Sequence, residues 1–307
     1  MVQLQRPAWV YFDGRIRPFE EAVLHISSEA VYRGLNVFEG VKGYWSHDGA
    51  GFNLVALARH YARLRESAKL LHIPVPWTFD EFERACQELL LVMVEPGRDM
   101  WVRATLYVVE GHWGVDTRAD LTLIAYHQPM SAPTPISVGV STWQRANDVT
   151  VPPRIKTSTN YQVARLARIE GRRQGHAEMI LLNTAGRVAE FTGACVLMVR
   201  NGAVITPPPS EGALESITVD IVGELCASLG IDFIRRPVDR TELYICDELG
   251  EAGTLAELTP VISIDAYRLP DERPVLDEIQ RRFFDAVRLI DPHPALQLSP
   301  VGLDVGR

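Results

Sequence analysis

The spacing of apolar residues changes period early in this chain, and that change restricts it to mixed α/β folds. Leu57, Tyr61, Leu64, Ala68 and Leu71 recur three and four apart, so Leu54 to Leu71 predicts an amphipathic helix stopped by Ile73-Pro74-Val75-Pro76. Phe79 to Val94 repeats the pattern. Met100 to Val109 and Ala119 to His127 then read as strands, the second so nearly continuous in apolar residues that it belongs inside a sheet. Upstream, Trp9 to Phe12, the turn Asp13-Gly14 and Val23 to Ile26 read as a short opening β-meander. From Gln128 to Pro135 the run Q-P-M-S-A-P-T-P carries three prolines, no charge and no periodicity, which marks a linker. The expected organisation is therefore a small N-terminal domain (1–127), a linker (128–135) and a larger C-terminal domain (136–307).

Strands and helices keep alternating beyond the linker. A strand from Ile136 to Thr142 precedes a helix from about Asn160 to Gln174, closed by Gly175. Met179 to Asn183, Val188 to Phe191 and Cys195 to Val199 read as strands, and Asn201-Gly202 is a type I′ hairpin signal leading into Ala203 to Ile205. Helix Ile217 to Leu229, strand Asp232 to Arg235, helix Arg240 to Tyr244, strands Glu248 to Gly253 and Val261 to Ile264, and helix Val275 to Leu289 complete the series before an irregular tail. No repeat interrupts it.

Composition narrows the class of partner. The net charge is -8 and the basic residues are scattered, which disfavours nucleic acid and favours small molecules. Met1 to Pro7 lacks an apolar leader core, and no stretch approaches the roughly 18 apolar residues of a membrane span, so no membrane partner and a cytoplasmic location are expected. Cys86, Cys195, Cys226 and Cys246 are far apart in apolar runs, the pattern of buried thiols. The eight histidines form no ligand-spaced pair, so no metal site is expected.

Four places carry chemistry out of keeping with a plain core. In V-P-P-R-I-K-T-S-T-N-Y-Q, two prolines fix the approach to Lys156, and Thr157 to Asn160 are all helix-capping types. A lysine framed in this way can act as a covalent catalyst once desolvation or a nearby positive charge strips its proton. Glu190, in V-A-E-F-T-G-A, needs a partner if buried, although an outward-facing place on a two-sided strand would also suit it. Ser216 and Thr218 open a predicted helix, where N–H groups and the dipole favour an anion or a simple cap suffices. Gly253-Thr254 offers a tight turn after a strand, again able to present N–H groups to an anion.

Taken together and in order, G-L-N-V-F-E-G (Gly34 to Gly40), H-Y-A-R-L-R-E-S-A-K (His60 to Lys69), Val102-Arg103, K-T-S-T-N-Y (Lys156 to Tyr161), V-A-E-F-T-G (Val188 to Gly193), S-I-T-V-D and G-T-L-A-E-L-T-P-V resemble the class IV, fold-type IV, pyridoxal-phosphate aminotransferases. The resemblance is nearest to the branched-chain amino acid aminotransferases and runs from about Trp9 to Phe283. It implies a two-domain α/β (α+β) enzyme, with a small N-terminal α/β domain and a larger, β-barrel-like C-terminal α/β domain. The implied cofactor is pyridoxal 5′-phosphate, and the implied assembly is a homodimer or higher homo-oligomer, with a loop such as Gly111 to Thr117 reaching across.

By the same resemblance, Lys156 is the Schiff-base lysine and the proton shuttle, Glu190 faces the pyridine nitrogen, and Tyr161 lies near the phenolic oxygen of the cofactor. Arg63, the backbone of Ile217 and Thr218, the Thr218 hydroxyl and Thr254 are implied to hold the phosphate. A solvated helix face is the plain alternative for Arg63, since Arg65 and Glu66 flank it. On the substrate side the implied residues are Arg33, Phe38, Trp101, Arg103, Thr254 and Leu255. Arg103 would meet the side-chain carboxylate of glutamate, and Phe38 would form an apolar wall. Trp101 and Arg33 stand where the family commonly has tyrosines, and they leave a D-amino acid or R-selective amine transaminase open as an alternative. The implied reaction is amino transfer between an aliphatic, branched-chain-like amino acid and 2-oxoglutarate by a ping-pong route. A lyase on the same scaffold, such as an aminodeoxychorismate lyase, and a non-catalytic binding protein are the remaining readings.

Overall fold

The computed structural model describes residues 4–302, which form two compact units. The first takes the described residues up to Ser131, the short segment Ile155–Thr159 and the described residues from Asp285 on; the second takes Ala132–Arg154 and Asn160–Phe284.

In the first unit, β1 (Trp9–Phe12) turns at Asp13-Gly14 and pairs antiparallel with β2 (Arg15–Pro18), so the expected hairpin closes sooner than Val23 to Ile26. That apolar run is no strand: Val23 and Ile26 are 72% and 76% exposed and lie in loop and turn before the short helix α1 (Glu29–Tyr32). β3 (Asn36–Trp45) and β4 (Phe52–Leu54) follow, then α2 (Leu57–Leu70) and α3 (Phe79–Met93). Leu54 belongs to the strand, so α2 begins three residues later than its apolar spacing suggests. β5 (Asp99–His112) and β6 (Val115–Gln128) form one long hairpin whose tip is Trp113-Gly114, so most of Gly111 to Thr117 is strand rather than a free loop.

In the second unit, β7 (Ile136–Gln144), α4 (Tyr161–Gln174) and β8 (Glu178–Leu182) make a parallel β-α-β unit. β9 (Val188–Phe191) returns antiparallel, and β10 (Cys195–Arg200) pairs with β11 (Ala203–Thr206) across Asn201-Gly202. Both turn residues have positive φ, 54° and 78°, as a type I′ turn demands. α5 (Ile217–Leu229) crosses over to β12 (Phe233–Arg235), parallel to β11. A 3-10 turn at Arg240–Tyr244 replaces the expected helix, and β13 (Glu248–Gly253), β14 (Glu257–Ile264), β15 (Tyr267–Arg268) and α6 (Pro274–Val287) follow. The path through this nine-stranded sheet is β12-β11-β10-β13-β14-β7-β8-β9, with β15 on β14. The tail is not irregular throughout, because β16 (Ser299–Val301) pairs with β4 and extends the first unit's sheet to the order β16-β4-β3-β5-β6-β1-β2.

Two faces of that first sheet have different fates. Val37 and Val41 of β3, Val102, Ala104 and Leu106 of β5, and Leu121, Leu123 and Ala125 of β6 join α2 and α3 in one apolar core. Strand alternation sends Phe38, Gly40 and Lys42 to the other face, directly across from Thr105, Arg103 and Trp101 of β5.

Candidate active site

Lys156 is fixed by its own peptide before its side chain is considered. The Phe38 N–H donates to the Lys156 carbonyl at 2.9 Å, and the Lys156 N–H donates to Ser67 Oγ on α2 at 3.1 Å. The Lys156 Nζ lies 4.9 Å from the centre of the Phe38 ring. The capping-type residues after it serve other ends: Ser158 Oγ donates to Asn36 Oδ1 at 2.7 Å, and Asn160 Nδ2 donates to the Pro152 carbonyl at 2.9 Å, so Asn160 gives α4 no side-chain cap. The two prolines and Asn160 therefore tie off the loop rather than start the helix.

The face of the sheet turned away from α2 gathers three of the expected substrate residues. The Arg103 guanidinium lies 3.8 Å above the Phe38 ring, and its Nη2 donates to Ser158 Oγ at 3.3 Å. Trp101 stacks on Tyr126 at 5.8 Å, and its Nε1 is buried with no hydrogen-bond partner among the described residues. Only a glycine at position 40 allows that pose, because a Cβ there would stand 2.7 Å from Trp101 Nε1. Arg33 does not join this group. Its Nη1 donates to both Glu29 oxygens at 2.7 Å, and the guanidinium rests 4.5 Å over Trp113 at the hairpin tip.

On the reverse face, Glu39 is wholly buried between Val37 and Val41 and meets α2. Arg63 grips it with Nε at 2.7 Å and Nη2 at 2.8 Å, and His60 Nδ1 meets the same carboxylate at 2.7 Å. Burial alone would raise the Glu39 carboxyl, but the Arg63 charge and the hydrogen bonds from Arg63 and His60 outweigh it and hold the group well below the usual carboxylate range. Burial pushes His60 below the ordinary histidine value despite its bond to Glu39, so at neutral pH the ring is neutral and gives its Nδ1–H to the carboxylate. Arg63 is thus no solvated helix residue.

In the second unit, Glu190 on β9 is buried and paired: Arg145 Nε approaches Oε1 at 2.8 Å and the Leu214 N–H donates to Oε2 at 2.9 Å. Each carboxylate oxygen can accept a further bond. Arg145 is itself braced by the Gly212 and Asn160 carbonyls, at 3.2 and 3.1 Å. Ser216 caps α5 by accepting from the Val219 N–H at 3.2 Å, which leaves Ile217 and Thr218 as the first two residues of the helix, with N–H groups that no intrahelical carbonyl can take. Thr254 and Leu255 occupy the turn between β13 and β14, and Tyr161 is the first residue of α4.

Residues 36–264 match the family model described as amino-transferase class IV. A curated probable branched-chain-amino-acid aminotransferase from Aquifex aeolicus is 31% identical over 288 residues, covering 91% of this chain and 92% of that protein. The chain belongs to the class IV aminotransferases. Among solved structures, a branched-chain aminotransferase from Thermoproteus uzoniensis with norvaline superposes with a TM-score of 0.88 at 31% identity, covering 95% of this chain and 99% of that one. The branched-chain amino acid aminotransferase of T.th., complexed with N-(5′-phosphopyridoxyl)-L-glutamate, gives 0.88 at 26% identity, covering 97% and 99%. The fold is therefore fold type IV, and the chain is a pyridoxal-phosphate-dependent transaminase.

Each unit holds groups of the kind that cofactor needs: an amine at Lys156 and a guanidinium at Arg63 in the first, and a buried carboxylate held by an arginine at Glu190 and the first amides of α5 in the second. Reading the sequence missed Glu39, His60 and Arg145. Each has a signal in hindsight: a charged residue inside V-F-E-G-V, a histidine three residues before Arg63, and an arginine just after β7.

Proposed function

We propose that this transaminase moves the amino group between an aliphatic, branched-chain-like L-amino acid and 2-oxoglutarate, by a ping-pong route. The observation that carries the reading is the Arg103 guanidinium stacked at 3.8 Å on Phe38, which puts a cation and an apolar wall on the sheet face beside Lys156. Such a surface suits both an apolar side chain and a side-chain carboxylate. The relatives' printed names and ligands, norvaline and a glutamate adduct, support the same pair of substrates.

Bound pyridoxal phosphate supplies an electron sink for the carbanion formed when substrate Cα loses its proton. The chain's own residues do the rest. Lys156 Nζ would hold the cofactor covalently and, as a free amine, would accept the proton that substrate Cα releases. Glu190, with Arg145 and the Leu214 amide fixing both its oxygens, would present a carboxylate to the pyridine nitrogen and keep that nitrogen protonated. Tyr161 would bond the phenolic oxygen, and Arg63, the Ile217 and Thr218 amides, the Thr218 hydroxyl and Thr254 would donate hydrogen bonds to the phosphate. Arg103, Phe38, Trp101, Thr254 and Leu255 receive the substrate, whereas Arg33, already bound to Glu29, acts at the hairpin tip.

The D-amino acid or R-amine reading keeps one observation in its favour, the bulk of Trp101 where a tyrosine is usual. Enantiomer pairs of alanine, leucine and 1-phenylethylamine separate the two: bleaching of the bound cofactor by L-leucine and L-glutamate supports the reading above, and bleaching by only the D or R forms overturns it. The same reading takes the enzyme as a cytoplasmic homodimer. The exposed apolar residues Val23, Ile26 and Tyr32 suit cover by a second copy, and the four free, buried cysteines suit a reducing compartment.

A further inference from the structure

One stripe of α2 holds both the phosphate arginine and the backbone of the cofactor lysine. His60, Arg63 and Ser67 are three and four residues apart, so they share one face of the helix, and all three are buried. His60 and Arg63 converge on Glu39, while Ser67 Oγ takes the Lys156 N–H. From Arg63 to Ser67 is four residues, about 6 Å along the helix axis. From these contacts we propose that Glu39 and Ser67 are positioning residues, and that through them α2 sets the distance between the group that grips the cofactor phosphate and the amine that bonds its aldehyde. The proposal rests on the reading of Arg63 and Lys156 given above.

The geometry makes Glu39 an orienting group as well as a counter-charge. Two parallel N–H···O bonds fix the plane of the Arg63 guanidinium, so the direction of its outer edge is set before any anion arrives. A carboxylate held by one arginine and a neutral histidine cancels the arginine's charge. If charge alone governed phosphate binding, removing Glu39 would tighten it; if orientation governs, removal weakens it. Ser67 works at the other end. Lys156 has a peptide held at N–H by Ser67 and at the carbonyl by Phe38, so its side chain starts from a fixed backbone. Losing the hydroxyl frees one of those two ties.

Two aldehydes separate the ends: pyridoxal phosphate, and pyridoxal, which lacks the phosphate. Titrating cofactor-free full-length protein with each, and following the visible absorbance, gives a dissociation constant for each variant. Glu39→Gln and the charge-retaining but shortened Glu39→Asp are expected to weaken pyridoxal phosphate about tenfold or more and to leave pyridoxal within twofold of wild type. Ser67→Ala is expected to weaken both aldehydes by a similar factor, with Ser67→Cys, which keeps a weak acceptor, between it and wild type. Tighter phosphate binding in Glu39→Gln, equal loss of both aldehydes in the Glu39 variants, or unchanged binding in Ser67→Ala would overturn the proposal. Wild-type protein that colours with neither aldehyde would overturn the reading of Lys156 itself, and this inference with it.

Discussion

Replacing Glu251 with glutamine offers a sharp test of how the second unit is built. Glu251 lies in β13, across from Val196 and Thr259, and is 8% exposed. Burial pushes its carboxyl up to about 8, and the negative charge of Glu178 adds to the rise, while Arg168 and a hydrogen bond with Thr259 oppose it. An unfolded chain would ionise the same group near 4.5. The folded pKa is raised, so the stability linked to this proton is complete below pH 4.5 and is lost as pH climbs through 8. Each unit of that window costs about 1.4 kcal/mol, and the whole window costs about 5 kcal/mol. Glutamine keeps the shape and cannot ionise, so Glu251→Gln removes the slope. Urea unfolding of wild type and variant at pH 5.5 and 7.5, with cofactor held constant, is expected to show the variant gaining about 2–3 kcal/mol on wild type between the two conditions. Parallel pH profiles, or a variant that falls behind as pH rises, would refute a buried neutral carboxyl at this position.

Gly40→Ala puts a Cβ where Trp101 Nε1 now lies, 2.7 Å away, and must displace the indole. Its amino acid half-reactions are expected to slow by roughly tenfold to a hundredfold while the bound cofactor absorbance persists, as stopped-flow traces would show. Arg145→Met strips the buried Glu190 carboxylate of its cation, and unfolding experiments are expected to register a loss of about 3–5 kcal/mol. Breaking the buried Asp99–Arg288 pair with Arg288→Met is expected to cost a similar amount, about 3–5 kcal/mol, because Asp99 would be left charged inside the first unit. That variant leaves the Lys156 segment untouched, so its folded fraction is expected to bind pyridoxal phosphate as wild type does.

Much of the fold could be read from the chain because local signals agreed with burial. The apolar stripes of α2 and α3, the continuous run of β6 and the Asn201-Gly202 turn were legible for that reason. Val23 to Ile26 misled because apolar composition looks the same on an exposed loop as on a strand. β3 carries no strand signal of its own, since Glu39, Gly40, Lys42 and Gly43 break any two-residue alternation. Those polar and glycine positions are engaged at long range: Glu39 pairs with Arg63, and Gly40 leaves room for Trp101. Pairings are what a lone sequence conceals. Nothing local links Glu39 to His60 and Arg63, or Arg145 to Glu190, because each bond joins residues more than 20 positions apart.

The central claim is that Lys156 carries the cofactor and that an amino acid of branched-chain type discharges it. Adding L-leucine to the yellow protein without any keto acid tests both parts in one cuvette. The visible absorbance is expected to fall, to return on adding 2-oxoglutarate, and to be missing from the outset in Lys156→Ala. Undiminished absorbance with L-leucine, L-isoleucine and L-glutamate alike would contradict the substrate assignment, and a wild-type chromophore retained in Lys156→Ala would contradict the site.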